Sequence, residues 1–569
     1  MKKWLDEIFY FWKNKCYIIA MTLTAACSYG FLITHHTIGI DDTPYASYFE
    51  EGLVAVVGRW VLFLCNKVIH IAEFTPFLTD LAGVLILMAA VSVWCALLRR
   101  IFREQIPMYG YVLFSCLFLS NPLISEVFTY HLHNGVATGY LACGISLCCL
   151  WECMENMTMI WSWQKRKPDA AVVLWALSSA VFLFISLGCY ESFMIVFLAG
   201  ACIMLGAGRL AGKKVCMLKG LLTAAVLAVI GIILRSLMIH LIVGVFRLEG
   251  LQDEAVQRSI WEISNWMFES GAFSEFAMIL KRVFVMYGVF AYAYYPIKIY
   301  VISAIILIIF SIYRTVRQRD PWIAVLAVGS ILVSFLLIIV EGKATLYRAA
   351  QFLPLFSAWG LLQLILFCQD LKKYVGRLNL KKGLLHTLKR VPEKILIAIM
   401  AVILFNQCAD MNKWFYIDYL KYEDAKNTMN QIAYELEKSY DTGKPIIFTG
   451  TYEIPKSIIA DAYVEYGSET YYKMLRITSL VDDTLLEKFY RGYGVWVAQT
   501  PSLSVLDWGR YAFDTNEELI RFFSMHGHEL KAQTDQSLYA EAEEYSLVLP
   551  SFPEEGAIVD MGGYIIVHF

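Results

Sequence analysis

Residues 170–190 read AAVVLWALSSAVFLFISLGCY, and no side chain in this stretch is charged. Glu191 and Ser192 interrupt it, and a second apolar stretch, FMIVFLAGACIMLGAG, follows at residues 193–208. About 20 apolar residues in a helix span the hydrocarbon core of a bilayer. The two stretches therefore predict a pair of membrane-spanning helices joined by a tight turn.

The rest of the chain repeats this pattern. Of its 569 residues 58% are hydrophobic and 17% are charged, and the mean hydropathy is +0.54, which excludes an ordinary soluble protein. We predict a polytopic α-helical membrane protein with about 11 transmembrane helices. Their predicted centres lie near Ala25, Ala89, Phe118, Ser146, Ala180, Ala199, Val229, Ile305, Ile331, Leu361 and Ile399.

The distribution of basic residues predicts the orientation of these helices. Alternate connections are rich in Lys and Arg, which favours the cytoplasmic side, and the intervening connections are poor in both. The predicted orientation is a cytoplasmic N-terminus and an outward-facing C-terminus in a bacterial plasma (inner) membrane. The basic residues are Lys2, Lys3, Lys13, Lys15, Arg99, Arg100, Arg103, Lys165, Arg166, Lys167, Arg209, Lys213, Lys214, Lys219, Arg314, Arg317, Arg319 and the eight from Lys372 to Lys394.

The chain divides near residue 410. Residues 1–410 carry 35 basic and 25 acidic side chains, whereas residues 411–569 carry 13 basic and 25 acidic ones. We predict a transmembrane domain followed by an extracytoplasmic α/β domain with a helix at 423–440 and strands at 445–450, 545–549 and 564–569. Its acidic balance argues against nucleic acid as a partner. The fourteen cysteines fall almost entirely within predicted spans, where they act as small hydrophobic residues.

Asp41 and Asp42 are the strongest candidates for chemistry. They lie side by side in the predicted outer connection after the first span. Adjacent carboxylates repel each other, so such a pair beside a membrane is typical of a catalytic or binding role. An aspartate can accept a proton from an attacking hydroxyl, and a pair can hold Mg²⁺ or Mn²⁺. The alternative is that the pair only caps an interfacial helix at 51–72.

Several other residues of the outer connections are candidates for binding a substrate. Arginine and lysine can stabilise a phosphate, whereas histidine, tyrosine, glutamate and glutamine can contact a sugar. Each also has a structural alternative, as an interface anchor or a solvated turn residue. Arg235 lies inside a predicted span, where it could be the buried partner of a carboxylate. The candidates are Arg59, His131, His133, Tyr190, Glu191, Lys343, Arg348 and Gln351.

Short motifs in these connections resemble the bacterial GT-C membrane glycosyltransferases, and specifically the serotype-converting Gtr type II glucosyltransferase family. They are Ile40-Asp41-Asp42, Gly58-Arg59-Trp60, Asn121-Pro122, Gly188-Cys189-Tyr190-Glu191-Ser192, Arg348, and the ending Pro550-Ser551-Phe552-Pro553, Gly556 and Tyr564-Ile565-Ile566-Val567. Thr43-Pro44-Tyr45 stands where members of that family often have an arginine. The resemblance implies transfer of glucose, with inversion, from undecaprenyl-phosphate-glucose in the membrane lipid to an extracytoplasmic glycan.

Two other classes of function are alternatives to this interpretation. A transporter or flippase for lipid-linked sugars would favour charges at mid-depth and repeated halves with broken helices. A glycan polymerase or ligase would favour large outer loops rich in arginine. The spans are almost free of charge apart from Arg235. The chain contains no phosphate-binding G-x-x-x-x-G-K-[ST] loop and no dinucleotide-binding fingerprint after a predicted strand.

We expect an accessibility tag within residues 35–45, and another in the 411–569 domain, to be labelled from outside intact cells. A tag at residues 165–167 is the matched control, because that basic connection should be labelled only after the membrane is permeabilised. Labelling of either outer tag only after permeabilisation would contradict the predicted topology.

Overall fold

The structure is a computed structural model that describes residues 2–37, 51–56, 58–69, 75–128, 133–160, 170–213, 215–248, 265–284, 287, 295–341, 349–375, 382–450 and 516–569. It shows a polytopic helical protein. The helices are α1 (Lys2–Trp12), α2 (Lys15–Thr34), α3 (Glu51–Val56), α4 (Trp60–Ile69), α5 (Pro76–Phe102), α6 (Met108–Leu119), α7 (Leu123–Phe128), α8 (His133–Ile160), α9 (Ala170–Cys189), α10 (Phe193–Leu210), α11 (Met217–Phe246), α12 (Ala272–Phe284), α13 (Tyr295–Gln318), α14 (Trp322–Ser334), α15 (Leu336–Glu341), α16 (Leu353–Val375), α17 (Lys382–Ser439), α18 (Asn516–Met525) and α19 (Gln536–Ser546).

Nine helices among the described residues are long and apolar enough to cross a membrane. They coincide with nine of the eleven predicted spans. The spans predicted near Phe118 and Ile331 contain the shorter helices α6 and α14. Each of these is followed by a six-residue helix, α7 or α15, after a short break in the helix. The first break contains Asn121-Pro122, where the proline cannot donate a backbone hydrogen bond and the Asn121 side chain accepts one from the Leu123 N–H at 3.1 Å.

One end of the bundle, here called the basic end, is held together by ion pairs. Arg100 lies 3.1 Å from both Glu152 and Glu155, and Arg314 lies 2.6 Å from Asp370. Further pairs at this end are Arg99 with Glu7, Lys213 with Glu155, Arg209 with Asp320, and Lys372 with Glu393. The predicted cytoplasmic connections and the N-terminus therefore share one end of the bundle.

The opposite end, here called the far end, includes Thr34, Trp60, Cys189 and Phe193. Helix α17 reaches it alongside α2: Ser28 donates to Cys408 Sγ at 3.3 Å, and His35 packs edge-on against Tyr419. Its 58 residues correspond to about 87 Å, against about 30 Å for a hydrocarbon core. The helix therefore continues past the bundle and forms one side of the C-terminal core.

The described C-terminal residues form a four-stranded sheet packed with helices. Strands β1 (Pro445–Thr449), β2 (Lys531–Ala532), β3 (Ile558–Asp560) and β4 (Ile565–His568) lie in the order β2-β1-β4-β3. Strand β1 is parallel to β2 and β4, and β3 is antiparallel to β4. Ala425, Met429, Ile432 and Leu436 of α17 pack with Phe522 and Phe523 of α18 over this sheet.

Two of the three strands predicted in this region are confirmed, at 445–450 and 564–569. The strand predicted at 545–549 is wrong, because α19 occupies 536–546 and hydrogen-bonded turns follow it. Asp535 caps that helix by accepting from the Ser537 N–H. The alanines and glutamates before Tyr545 favour a helix, and they outweigh the apolar triplet 547–549. All fourteen cysteines are free thiols.

We expect Gly360→Ala to destabilise the bundle, because α16 crosses α13 there without space for a methyl group. A Cβ at 360 would lie 2.7 Å from the Ser303 carbonyl oxygen, and backbone cannot yield as a side chain can. Overpacking of this kind costs about 1–3 kcal/mol. Gly206→Ala is the control, since its nearest neighbour would lie at 3.7 Å. Thermal unfolding in detergent should separate the two variants, and equal midpoints would contradict this packing.

Candidate functional site

The tight turn predicted between two apolar stretches lies at the far end, between α9 and α10. It comprises Tyr190, Glu191 and Ser192. The Phe193 N–H donates to the Tyr190 carbonyl at 3.3 Å and the Met194 N–H to the Glu191 carbonyl at 3.1 Å. These bonds begin α10 directly after the turn, so the three side chains are held at the junction of two rigid helices.

Arg59 reaches this turn from the first predicted outer connection. Gly58 has φ 89°, which a glycine adopts easily, and it divides the helix predicted at 51–72 into α3 and α4. The Arg59 N–H donates to the Val54 carbonyl at 3.0 Å, which fixes the bend. The Arg59 guanidinium carbon then lies 4.7 Å from the centre of the Tyr190 ring, a cation–π contact.

Trp60 explains why Gly188 is a glycine. The Trp60 indole stacks on Phe184, with the ring centres 4.5 Å apart, and lies directly against the backbone at 188. A Cβ there would lie 2.2 Å from the indole nitrogen, closer than any tolerable contact. The motifs 58–60 and 188–192, more than 120 residues apart in sequence, are therefore a single packed unit.

Arg235 of α11 completes the group, and the hypothesis that it is the partner of a carboxylate is confirmed. Its Nη2 lies 3.7 Å from Glu191 Oε2, and its Nε donates to the Leu187 carbonyl at 3.2 Å. Sequence reasoning did not include Arg235 among the substrate-binding residues. The available signal was an arginine inside a span that is otherwise free of charge.

The height of this cluster follows from helix lengths. Helices α9 and α10 contain 20 and 18 residues, which correspond to about 30 and 27 Å and match a hydrocarbon core. The turn that joins them therefore lies near the level of the lipid phosphates. Helix α11 continues for eleven residues beyond Arg235, about 16 Å, so it forms a wall above the cluster.

Several buried polar atoms on this turn, at Arg59 and on α4 have no hydrogen-bond partner among the described residues. Within the described part of the chain they include Arg59 Nε, Trp60 Nε1, Ser192 Oγ and both amide atoms of Asn66. Each such atom costs about 1–3 kcal/mol relative to a satisfied one, so natural proteins keep few of them outside functional sites. The arrangement fits a polar ligand that supplies the missing partners.

Gln351 lies at the same end and has the same property. It is 1% exposed, and neither amide atom of its side chain has a hydrogen-bond partner among the described residues. The Tyr140 hydroxyl donates to its backbone carbonyl at 2.5 Å, and the Tyr140 ring packs edge-on against Phe193, two residues after Glu191. Gln351 is thus linked to the Glu191 turn through one aromatic pair.

The remaining candidates fall elsewhere. Asp41, Asp42, His131, Lys343 and Arg348 lie outside the described residues, and of His133 only the backbone, at the start of α8, is described. No group of three or more metal-ligating side chains occurs among the residues that the structure describes, a set without Asp41 and Asp42.

Two buried carboxylates near the first outer connection were not predicted. Asp418 of α17 accepts a hydrogen bond from the Thr37 hydroxyl, and Asp80 of α5 lies 3.8 Å from the His36 ring. Both aspartates are almost fully buried. They hold the chain just after α2, five and four residues before Asp41. Asp80 is the one charged residue between Glu73 and Arg99 in the sequence, whereas Asp418 has charged neighbours and gave no signal.

A family model described as "Glucosyl transferase GtrII" matches residues 30–367, more than half of the chain. The match includes both motifs of the packed unit and every candidate site residue. No curated protein and no solved structure matches the chain.

We expect Gly188→Ala to lower the activity at this site by about tenfold or more while the protein still inserts. The added methyl group must displace the Trp60 indole, and Arg59 moves with it. Gly244→Ala on α11 is the control, because a Cβ there has no neighbour within 4 Å. Sugar transfer by membranes with equal amounts of each variant is the measurement. Unchanged transfer by Gly188→Ala would show that the packed unit does not position functional groups.

Proposed function

The chain belongs to the GtrII family of glucosyl transferases, and we propose that it transfers a hexose from a polyprenyl-phosphate donor to an extracytoplasmic glycan. The family makes glucose the proposed hexose. Undecaprenyl phosphate is the proposed carrier, and the outer face of the bacterial plasma membrane is the proposed place of reaction. The far end of the bundle is then the outer end.

The observation that carries this proposal is the set of unpaired polar groups around the Glu191 turn. Arg59 and Trp60 combine a cation, an indole N–H and aromatic surface, the groups that bind phosphate and sugar rings. They lie near the level at which a lipid-linked sugar presents its phosphate. A donor held in the membrane needs no nucleotide-binding motif, in keeping with the sequence.

The proposed reaction is a direct displacement at the anomeric carbon. An acceptor hydroxyl attacks that carbon, its proton passes to Asp41 or Asp42, and the bond from the carbon to the phosphate oxygen breaks. The sugar is transferred with inversion, and polyprenyl phosphate leaves. The aspartate that is not the base orients the acceptor or holds Mg²⁺ or Mn²⁺; otherwise no cofactor is required.

The other candidate residues have supporting roles in this scheme. Arg59, Arg348 and Lys343 stabilise the departing phosphate, whose negative charge grows as the bond breaks. His131, His133, Tyr190, Glu191 and Gln351 contact sugar hydroxyl groups. The domain at 411–569 aligns the acceptor glycan and supplies no catalytic group. Helix α17 supports this assignment, since it runs without a break from the bundle into the C-terminal core.

A flippase for lipid-linked sugars is the second candidate function. The interruptions between α6 and α7, and between α14 and α15, are of a kind that transporters use at their binding sites. A glycan polymerase or ligase at the same face is a third. Both differ from the main proposal in having no need for a base at 41 or 42.

We expect Asp41→Asn or Asp42→Asn to reduce sugar transfer by about 10²- to 10⁴-fold, the usual contribution of a general base. One of the two should have the larger effect, because a base and an orienting ligand have different tasks. The measurement is transfer of labelled hexose from a polyprenyl-phosphate donor, at matched amounts of inserted protein.

Asp6→Asn is the control for these variants, since Asp6 is an exposed carboxylate on α1 at the basic end. Transfer near the wild-type rate by both single variants and by the double variant would refute the catalytic role of the pair. Such a result would favour the flippase.

A further inference from the structure

We propose that Arg59 and Arg235 together form a binding site for the phosphate of a lipid monophosphate, and that Glu191 is the counterion which this phosphate displaces. The inference rests on the proposed function and deepens it. It adds Arg235 as a second cation, and it gives Glu191 a task other than contact with sugar.

The two arginines approach the same turn from different helices. Arg59 lies over the Tyr190 ring, and Arg235 is beside Glu191, the next residue. Their positive charges are close enough to interact. Both are largely enclosed, and in the described part of the chain Arg59 has no carboxylate partner. Two guanidinium groups offer several N–H donors to one anion, an arrangement suited to phosphate oxygens.

The ion pair between Arg235 and Glu191 is loose. The two atoms are 3.7 Å apart, beyond a hydrogen bond, and the Glu191 side chain is 48% exposed. At the basic end, Arg314 and Asp370 lie 2.6 Å apart with only 16% of the aspartate exposed. An exposed pair of this kind contributes little stability, so a better anion can displace the carboxylate at small cost.

The net charge of the cluster can be compared with the charge of the lipid phosphate before and after sugar transfer. Two arginines and one glutamate leave a net charge of one positive unit, which balances a phosphodiester such as a lipid-linked sugar. After transfer the lipid carries a phosphomonoester, with about −1.5 to −2 charge at pH 7. That product attracts the arginines more strongly, and it is also repelled more strongly by Glu191. Glu191 therefore limits retention of the product.

The surroundings favour a lipid over free phosphate as the source of the anion. Val226, Val229 and Ile233 lie on α11 between Arg235 and the basic end, at the depth of the hydrocarbon core, and are exposed at the surface of the bundle. An isoprenoid chain can lie along this apolar strip while its phosphate contacts Arg235. Inorganic phosphate would make no use of the strip.

The experiment measures binding of a polyprenyl monophosphate to the purified full-length protein in nanodiscs. We expect Glu191→Gln to bind it several-fold more tightly, and to be inhibited by it at lower concentration during sugar transfer. We expect Arg235→Gln to bind it about 10- to 100-fold more weakly. Arg209→Gln is the matched control, since Arg209 pairs with Asp320 at the basic end and should leave binding unchanged.

Unchanged or weaker binding by Glu191→Gln would overturn the proposal. Because Glu191 is half-exposed, its substitution should not prevent folding, so the test can be made even if Arg235→Gln does not fold. Equal affinity for inorganic phosphate, with the same response to the variants, would overturn the assignment to a lipid. Because binding is measured without donor sugar, failure of the proposed transfer would leave this test intact. Normal transfer with unresponsive binding would refute only the two-arginine site.

Discussion

The contact between the Trp60 indole and the backbone at Gly188 is the constraint on which the far end of this protein depends. It brings the start of α4 onto the end of α9. As a result, Arg59, next to Trp60, lies over the Tyr190 ring, and Glu191, three residues after Gly188, faces Arg235. No charge–charge attraction is needed to assemble the two motifs. Apolar stacking positions the charges, which leaves them available to a ligand.

The basic end and the Glu191 turn differ in how closely their charged groups are paired. At the basic end, arginines and carboxylates pair at hydrogen-bond distance and close the helices against one another. Around the Glu191 turn, buried donors and acceptors lack partners within the described chain. Paired groups stabilise a fold, whereas unpaired ones reduce its stability and persist where binding compensates for them.

Much of the fold could be predicted from sequence because bilayer thickness is a strong constraint. Uncharged stretches such as 170–190 fit only a membrane-spanning helix, and basic residues such as Arg100 and Arg209 identify the connections at one end of the bundle. Prediction was weaker where tertiary context decides: α6 and α14 are shorter than the spans predicted there, and 545–549 is not a strand. Periodicity carries no information on where a helix breaks.

The candidate site was predictable in part. Arg59, Tyr190 and Glu191 were chosen separately, from their place in outer connections, and their contact could be recognised only through folding. Arg235 was noted for its isolation in an apolar helix, but its partner lies 44 residues away in the turn between α9 and α10. Asp80 and Asp418 were missed because a single buried carboxylate has no pattern. Asp41 and Asp42 remain a prediction.

The unequal lengths of α10 and α11 have a consequence for the membrane itself. Beside α11 the protein presents exposed apolar side chains for about 16 Å past Arg235, whereas beside the α9–α10 turn it presents a glutamate at the height of that arginine. A bilayer of uniform thickness cannot satisfy both sides, so it is expected to thin on one of them. The protein would thus tilt the lipid surface around itself, and headgroups would slope down towards the turn.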